Sequence, residues 1–198
     1  MRKSVCGLSV ITGFIFCLFC LPACAPVSPE GDYSSEMRAK IEEMAKKVKK
    51  YSEEEKTVAQ NMETFEKFNL DIFGKQDWSR IKESHSKDIV VYWPNGHHTD
   101  GIDKYIEDLK EMFIYSPDTR IQAHQAKFGA GEYTCVTGIM TGAFTKPLPV
   151  GNGKYISPTF KKFSISICTI GHWKNGVMTE KWLYWDSASY MDQIGLGK

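Results

Sequence analysis

After Pro117 the chain consists almost entirely of strand-like stretches. Four of them, rich in β-branched and aromatic residues, fall at 119–128, 133–145, 162–173 and 177–186. They are separated by Gly129-Ala130-Gly131, by a long loop at 146–160 and by Lys174-Asn175-Gly176. Asn-Gly between two such runs is a strong hairpin signal, because both residues accept the positive φ of a two-residue turn. Long strands joined by short turns pair antiparallel, and a sheet of them twists and must bury one face. The cover is available upstream. Ile102, Tyr105, Ile106, Leu109, Met112 and Phe113 form one apolar stripe of a helix over 101–113, after a strand at 89–93 that Pro94-Asn95-Gly96 closes. The expected architecture is therefore α+β: a cone-shaped, curved antiparallel sheet covered by N-terminal helices around a pocket.

The N-terminal third is of another kind. Residues 1–23 combine a basic start at Arg2 and Lys3, an apolar run and a small-residue end, the layout of a secretory signal peptide. Leu21-Pro22-Ala23-Cys24 resembles the bacterial lipobox, which implies lipidation of Cys24. A plain secretory cut near Ala23 or Ala25, or an uncleaved anchor, are the alternatives, although the apolar run is shorter than the ~20 residues of a spanning helix. The expected location is outside the cytoplasm: a lipid anchor in a bacterial membrane, on its periplasmic side. A Pro/Ser/Gly spacer follows, then a charged helix. Residues 24–51 read as lipidated linker and charged helix, and 52–198 as the domain. Ile41, Met44, Ala45, Val48 and Tyr51 recur at helical spacing, and Val58, Met62, Phe65 and Ile72 resume it. Ser52 and Glu55 have the spacing of a capping box, so a break between two helices is expected there. A further short helix, capped by Asp77, is expected from Trp78.

Of six cysteines, the mature domain keeps Cys135 and Cys168, both in strand runs, which excludes a disulfide scaffold and leaves open a single bridge. A net charge of +1 gives no electrostatic case for nucleic acid. No phosphate loop, dinucleotide glycine pattern, nucleophile elbow or zinc signature occurs, so no cofactor is expected. His97-His98 with Asp100 lacks metal-ligand spacing, since adjacent strand residues point to opposite faces, and no metal is expected.

The last strand carries the richest chemistry. Alternation sets Glu180, Trp182, Tyr184 and Asp186 on one face and Lys181, Leu183 and Trp185 on the other. Two carboxylates in a row with an indole and a phenol read as a pocket wall, since ionised carboxylates are rarely buried without partners. Asp186 is the expected proton-transfer group, with His172 and His124 as helpers. Glu180, Trp182, Tyr184, Tyr92, Trp93 and His98 are the expected ligand contacts. The plainer reading is a strand margin with packed aromatics, solvated acids and an Asp that caps the following turn.

The order of elements resembles the nuclear-transport-factor-2-like fold and, within it, the SnoaL-like ester (polyketide) cyclase group. The residues that carry the likeness are Tyr92-Trp93-Pro94-Asn95-Gly96, Tyr115-Ser116-Pro117-Asp118, Lys127-Phe128-Gly129, Gly142-Ala143-Phe144-Thr145, Cys168-Thr169-Ile170 with His172-Trp173, and Glu180 through Asp186 to Gln193-Ile194-Gly195-Leu196. The resemblance covers about 52–196. Phe160 stands where these sequences commonly show Gly. The resemblance implies a late pocket carboxylate that takes and returns a proton during ring closure, and Asp186 is the matching position. It also implies a homodimer built on the open sheet. The expected function is binding of a small hydrophobic carbonyl compound in a conical pocket, with cofactor-free acid–base chemistry of cyclase or isomerase type. The rivals are a non-catalytic hydrophobic-ligand binder and an assembly module of the cell envelope.

Overall fold

In the computed structural model, residues 33–197 are described; the expected leader, Cys24 and the spacer up to residue 32 lie outside them. Residues 33–43, the described part of the first of two units, are helical from Ser35 and exposed. From Met44 the chain forms one packed unit.

The first helix, α1, runs Ser35–Lys67 without interruption. No break occurs at Ser52: the stretch holds no Pro or Gly, and Glu53-Glu54-Glu55-Lys56 are good helix formers. A capping box only offers a helix start; it does not force one. The apolar stripe becomes continuous near the C-terminal end of α1, where Met62 and Phe65 are buried. One π-helical turn, Phe68–Phe73, then inserts a residue into the helical repeat and turns Phe68, Asn69, Ile72 and Phe73 all inward. A 3₁₀ helix, Trp78–Glu83, stands where the short helix was expected. Its Asp77 accepts a bond from Ser79 Oγ at 2.7 Å and caps no backbone N–H.

The strands are β1 (His85–Tyr92), β2 (His98–Asp100), β3 (Arg120–Ala130) and β4 (Tyr133–Ala143), with α2 (Ile102–Tyr115) between β2 and β3. A ribbon of β5 (Leu148–Pro149) and β6 (Tyr155–Ile156) forms in the long loop. Strands β7 (Lys162–Lys174) and β8 (Val177–Trp185) follow, and α3 (Ser187–Gln193) ends the fold. The sheet order is β2-β1-β8-β7-β4-β3. All neighbours are antiparallel except β1 and β8, which run parallel. The β7–β8 hairpin turns at Asn175 (φ 51°) and Gly176 (φ 79°), as the dipeptide requires.

One face of the sheet is covered. Phe65, Phe68, Ile72 and Phe73 from the first helical segment, and Tyr105, Leu109 and Phe113 from α2, pack with Ile89, Val91, Val136, Trp173 and Met178 of the strands. A second cluster of Met140, Phe144, Phe163, Ile165 and Ile194 fills the end beneath α3. The opposite face leaves Phe128, Tyr133 and Tyr184 exposed. No described helix is long and apolar enough to cross a membrane.

Candidate active site

Strand β8 decides where the chemistry lies. It pairs with β7 so that Lys181, Leu183 and Trp185 oppose Gly171, Thr169 and Ile167. Leu183, Trp185, Thr169 and Ile167 all line an interior cavity of about 40 Å³, and so does Lys181, together with Phe68, Phe73, Tyr105, Leu109 and Met112. The inward face is therefore the lysine face. Gly171 leaves no space beside Lys181: a Cβ there would lie 2.8 Å from Met178 Sδ and 2.9 Å from Trp173 Nε1.

Lys181 is 3 % exposed. Its Nζ donates to Tyr105 Oη at 2.8 Å and lies 3.4 Å from His85 Nε2. It also sits 4.3 Å from the centre of the Phe68 ring and 5.2 Å from that of Tyr105, within cation–π range. His85 is fully buried, with Nδ1 at 2.8 Å from Ser84 Oγ, whose own proton goes to Ile81 O at 3.1 Å. That assignment makes Nδ1 the protonated nitrogen and leaves the Nε2 lone pair facing the lysine. The network is complete, since no buried side-chain N or O among the described residues lacks a partner.

No carboxylate pairs with Lys181 among the described residues. Burial alone pushes its ammonium down to about 7. Burial, and then the neighbouring lysine, hold His85 well below the usual imidazole range. Burial drives the Tyr105 phenol well above its ordinary value. At neutral pH the cavity thus holds an amine close to its titration point and a phenol that keeps its proton, with a neutral imidazole beside the amine outside the cavity lining.

A cleft of about 690 Å³ lies outside, lined by Pro94, Asn95, His97, Glu111, Tyr115 and Leu148 among others. Trp93, Met112 and Trp185 border both the cleft and the inner cavity and form the neck between them. Trp93 packs edge to face on Trp185 at 6.2 Å, and its Nε1 donates to Thr99 Oγ1 at 2.8 Å. Thr99 passes its own proton to Asp108.

The residues expected from sequence are distributed differently. Asp186 is at the rim, and its carboxylate is fully exposed. Oδ1 accepts from the backbone N–H of Ala188 (2.9 Å) and Ser189 (3.0 Å), and Oδ2 from Ser189 Oγ (2.6 Å), which caps α3. The Ser189 hydroxyl, and then these amides, lower its pKa. A carboxylate engaged in this way is a weak base. Glu180, Trp182 and Tyr184 stand on the face away from the cavity, with Tyr92 stacked on Trp182 at 5.3 Å and 7°. His172 is on that same face, between Glu180 (2.6 Å) and Glu132 (3.2 Å) and stacked on Tyr133. The carboxylates took the solvent side and the histidine followed them. His124 reaches the cavity only through Asn69, at 2.9 Å, and otherwise faces a surface hollow with Glu66 and Lys127. Burial, opposed by Glu66, lowers its pKa. His98 is exposed beside Asp100, and His97 lines the cleft in its place. Among the expected contacts, Trp93 lines both the cleft and the inner cavity.

The sequence reading did not single out Lys181, Tyr105 or His85. The signal available was the parity of β8 itself: a lysine sharing a face with Leu183 and Trp185 is unusual, because a charged residue inside an apolar row is almost never fully buried without function or partner.

Comparison with known proteins bears on the fold and the family. The family model described as SnoaL-like polyketide cyclase matches residues 63–194. A protein of Jannaschia sp. CCS1 described as a SnoaL-like polyketide cyclase superposes with a TM-score of 0.62 at 19% identity, covering 71% of this chain and 94% of that one. IdmH of Streptomyces antibioticus, described as a polyketide cyclase, gives 0.58 at 16% identity over 69% and 99%. An NTF2-like protein of Burkholderia pseudomallei gives 0.56 at 15% over 69% and 98%. At such identities these structures show the fold alone. A search of the curated proteins gives no match.

Proposed function

Because the chain belongs to the SnoaL-like polyketide cyclase family, we propose that it binds a small, largely apolar carbonyl compound in the conical pocket. In this reading it moves a proton at the carbon next to that carbonyl, without a cofactor. The observation that supports this is the buried Lys181 amine lining a largely apolar inner cavity, bonded to Tyr105 and paired with no carboxylate among the described residues. A base whose conjugate acid loses its proton near 7 is matched to neutral pH, where half of it is free to accept. The Tyr105 hydroxyl, which keeps its proton, donates to the oxygen on which negative charge develops. Trp93, Met112 and Trp185 hold the ligand body in the neck and exclude water from the reacting end. The proton-transfer role expected of Asp186 passes to Lys181, and Asp186 keeps the cap.

The test is deuterium uptake at the α-carbon of an apolar ketone such as 2-heptanone in D₂O. Wild type accelerates the exchange and Lys181→Met does not. Equal rates in the two proteins would remove the catalytic part of the proposal. Quenching of tryptophan fluorescence by the same ketone, with no accelerated exchange, would leave the non-catalytic binder, a reading that the smallness of the inner cavity favours.

The proposal extends to the setting. The leader-like residues 1–23 and Cys24 support a lipid-anchored protein on the periplasmic side of a bacterial membrane, checked by globomycin sensitivity of its processing. The uncovered sheet face with Phe128, Tyr133 and Tyr184 supports a homodimer, checked by sedimentation equilibrium.

A further inference from the structure

We propose that Lys181 forms a covalent imine with an aldehyde that enters the cavity, so that the pocket captures reactive apolar aldehydes by a reversible bond to the Nζ atom. This inference rests on the proposed carbonyl-binding role of the pocket and goes beyond it, since proton transfer needs no bond to the protein.

Four observations carry it. The amine is the only nitrogen base among the inner cavity's lining side chains, whose other polar members are the Asn69 amide, the Tyr105 and Thr169 hydroxyls, the two indoles and the Cys168 thiol. Among the described residues it faces no carboxylate that would hold it as ammonium. Tyr105 Oη stands 2.8 Å from Nζ, close enough to relay a proton between the nitrogen and an oxygen bonded to the adjacent carbon. The neck of Trp93, Met112 and Trp185 keeps out bulk water, which would return an imine to its components.

The step balances without a redox partner. The Nζ lone pair forms the C–N bond as the C=O π pair moves to oxygen, and that oxygen takes a proton relayed by Tyr105 from the nitrogen. The second N–H proton then leaves with the hydroxyl as water, and the products are imine plus one water. His85 Nε2, at 3.4 Å from Nζ, is kept neutral by its burial, so it places no second positive charge beside the amine during these steps. An apolar chain on the aldehyde fills the cleft, whose walls include Ile114, Leu148 and Trp185.

The experiment uses the mature protein, hexanal and sodium cyanoborohydride at pH 7, read by intact mass and peptide mapping, with tryptophan quenching followed in parallel. The expected result is one adduct, heavier by the aldehyde less one oxygen atom, at Lys181, at least tenfold over any other lysine. An ordinary lysine is about one part in 10³ free amine at pH 7, whereas Lys181 is about half free. Lys181→Met abolishes that adduct, and a cooperative thermal transition in that variant shows that the fold persists. Tyr105→Phe slows the trapping about tenfold, and a cooperative thermal transition in that variant separates loss of the relay from loss of the fold. Quenching without a Lys181 adduct overturns the imine and leaves the binding pocket. Absence of quenching overturns the pocket reading itself. Protection of the amine by octanoate, with no adduct from hexanal, assigns Lys181 as the counterion of a carboxylate and also overturns the imine.

Discussion

Replacing Lys181 by methionine tests the environment of the amine through stability alone, independently of any ligand. The lysine loses its proton near 7 in the folded protein and near 10.5 in the unfolded chain. Between those values the unfolded chain binds the more protons, so the lysine's contribution to stability rises with pH across that window and is lowest below pH 7. Each pH unit that separates the two values is worth about 1.4 kcal/mol, so below pH 7 the buried ammonium costs roughly 5 kcal/mol. That cost falls by about 2 to 3 kcal/mol between pH 7.5 and 9.5. At 3 % exposure the side chain has almost no solvent to screen this effect. His85, the titratable neighbour, stays neutral throughout this interval, because its pKa lies well below 6.5. Methionine fills the stem's volume and leaves Tyr105 Oη without a partner, a loss of about 1 to 3 kcal/mol that does not vary with pH here. Urea unfolding of both proteins at half-unit steps therefore gives a difference, wild type minus variant, that climbs by about 2 to 3 kcal/mol over those two units. Groups common to both proteins cancel. A flat difference would mean that Lys181 keeps an ordinary pKa, and that the cavity is wet or the amine paired.

Three further outcomes follow from particular residues. Asp186→Asn preserves the α3 cap and the melting temperature, whereas Asp186→Ala lowers the melting temperature; neither changes α-proton exchange, and a large loss of exchange in the Asn variant would return the catalytic role to Asp186. Phe160 sits at φ 59° with its N–H bonded to Phe144 O, so Phe160→Gly raises stability by up to about 1 kcal/mol in thermal melts; a drop would show that the exposed ring makes contacts worth more than the strain. Burial first, and then Cys135 with Sγ at 3.6 Å, push the Cys168 thiol up to about 11, so its alkylation by iodoacetamide keeps accelerating from pH 8 to pH 10, and a plateau near 9 would contradict this.

The sheet was readable because its signals are local: β-branched runs, Asn175-Gly176 and the helical stripe of α2 each depend on residues within a few positions. The pocket was not, and β8 shows why. Period-2 alternation sorts residues into two faces without saying which is inside. The choice depends on what arrives from elsewhere, and Tyr105, the partner of Lys181, is 76 positions away. A lysine is also a misleading cue for solvent, since its long aliphatic stem can cross an apolar layer and deliver the amine to a distant hydroxyl. Asp186 was located correctly at the end of β8, but the two amides that engage its carboxylate follow it in sequence, and the capping reading already contained that outcome. The unbroken α1 shows that a capping box at Ser52 competes with helix continuation and loses where strong helix formers follow.

The place of β8 in the sheet has a consequence for how the molecule comes into being. The sheet's most C-terminal strand, β8, occupies an interior seat, between β1 from the start of the domain and β7 beside it. Until its nine residues emerge, the β1–β2 pair and the β3–β4–β7 meander have no common edge, and they remain two separate fragments. A chain cut before Val177 thus loses its keystone, where loss of an edge strand would merely narrow the sheet. The buried Lys181 amine rides on that keystone, so its cavity is assembled only at the moment the whole sheet closes.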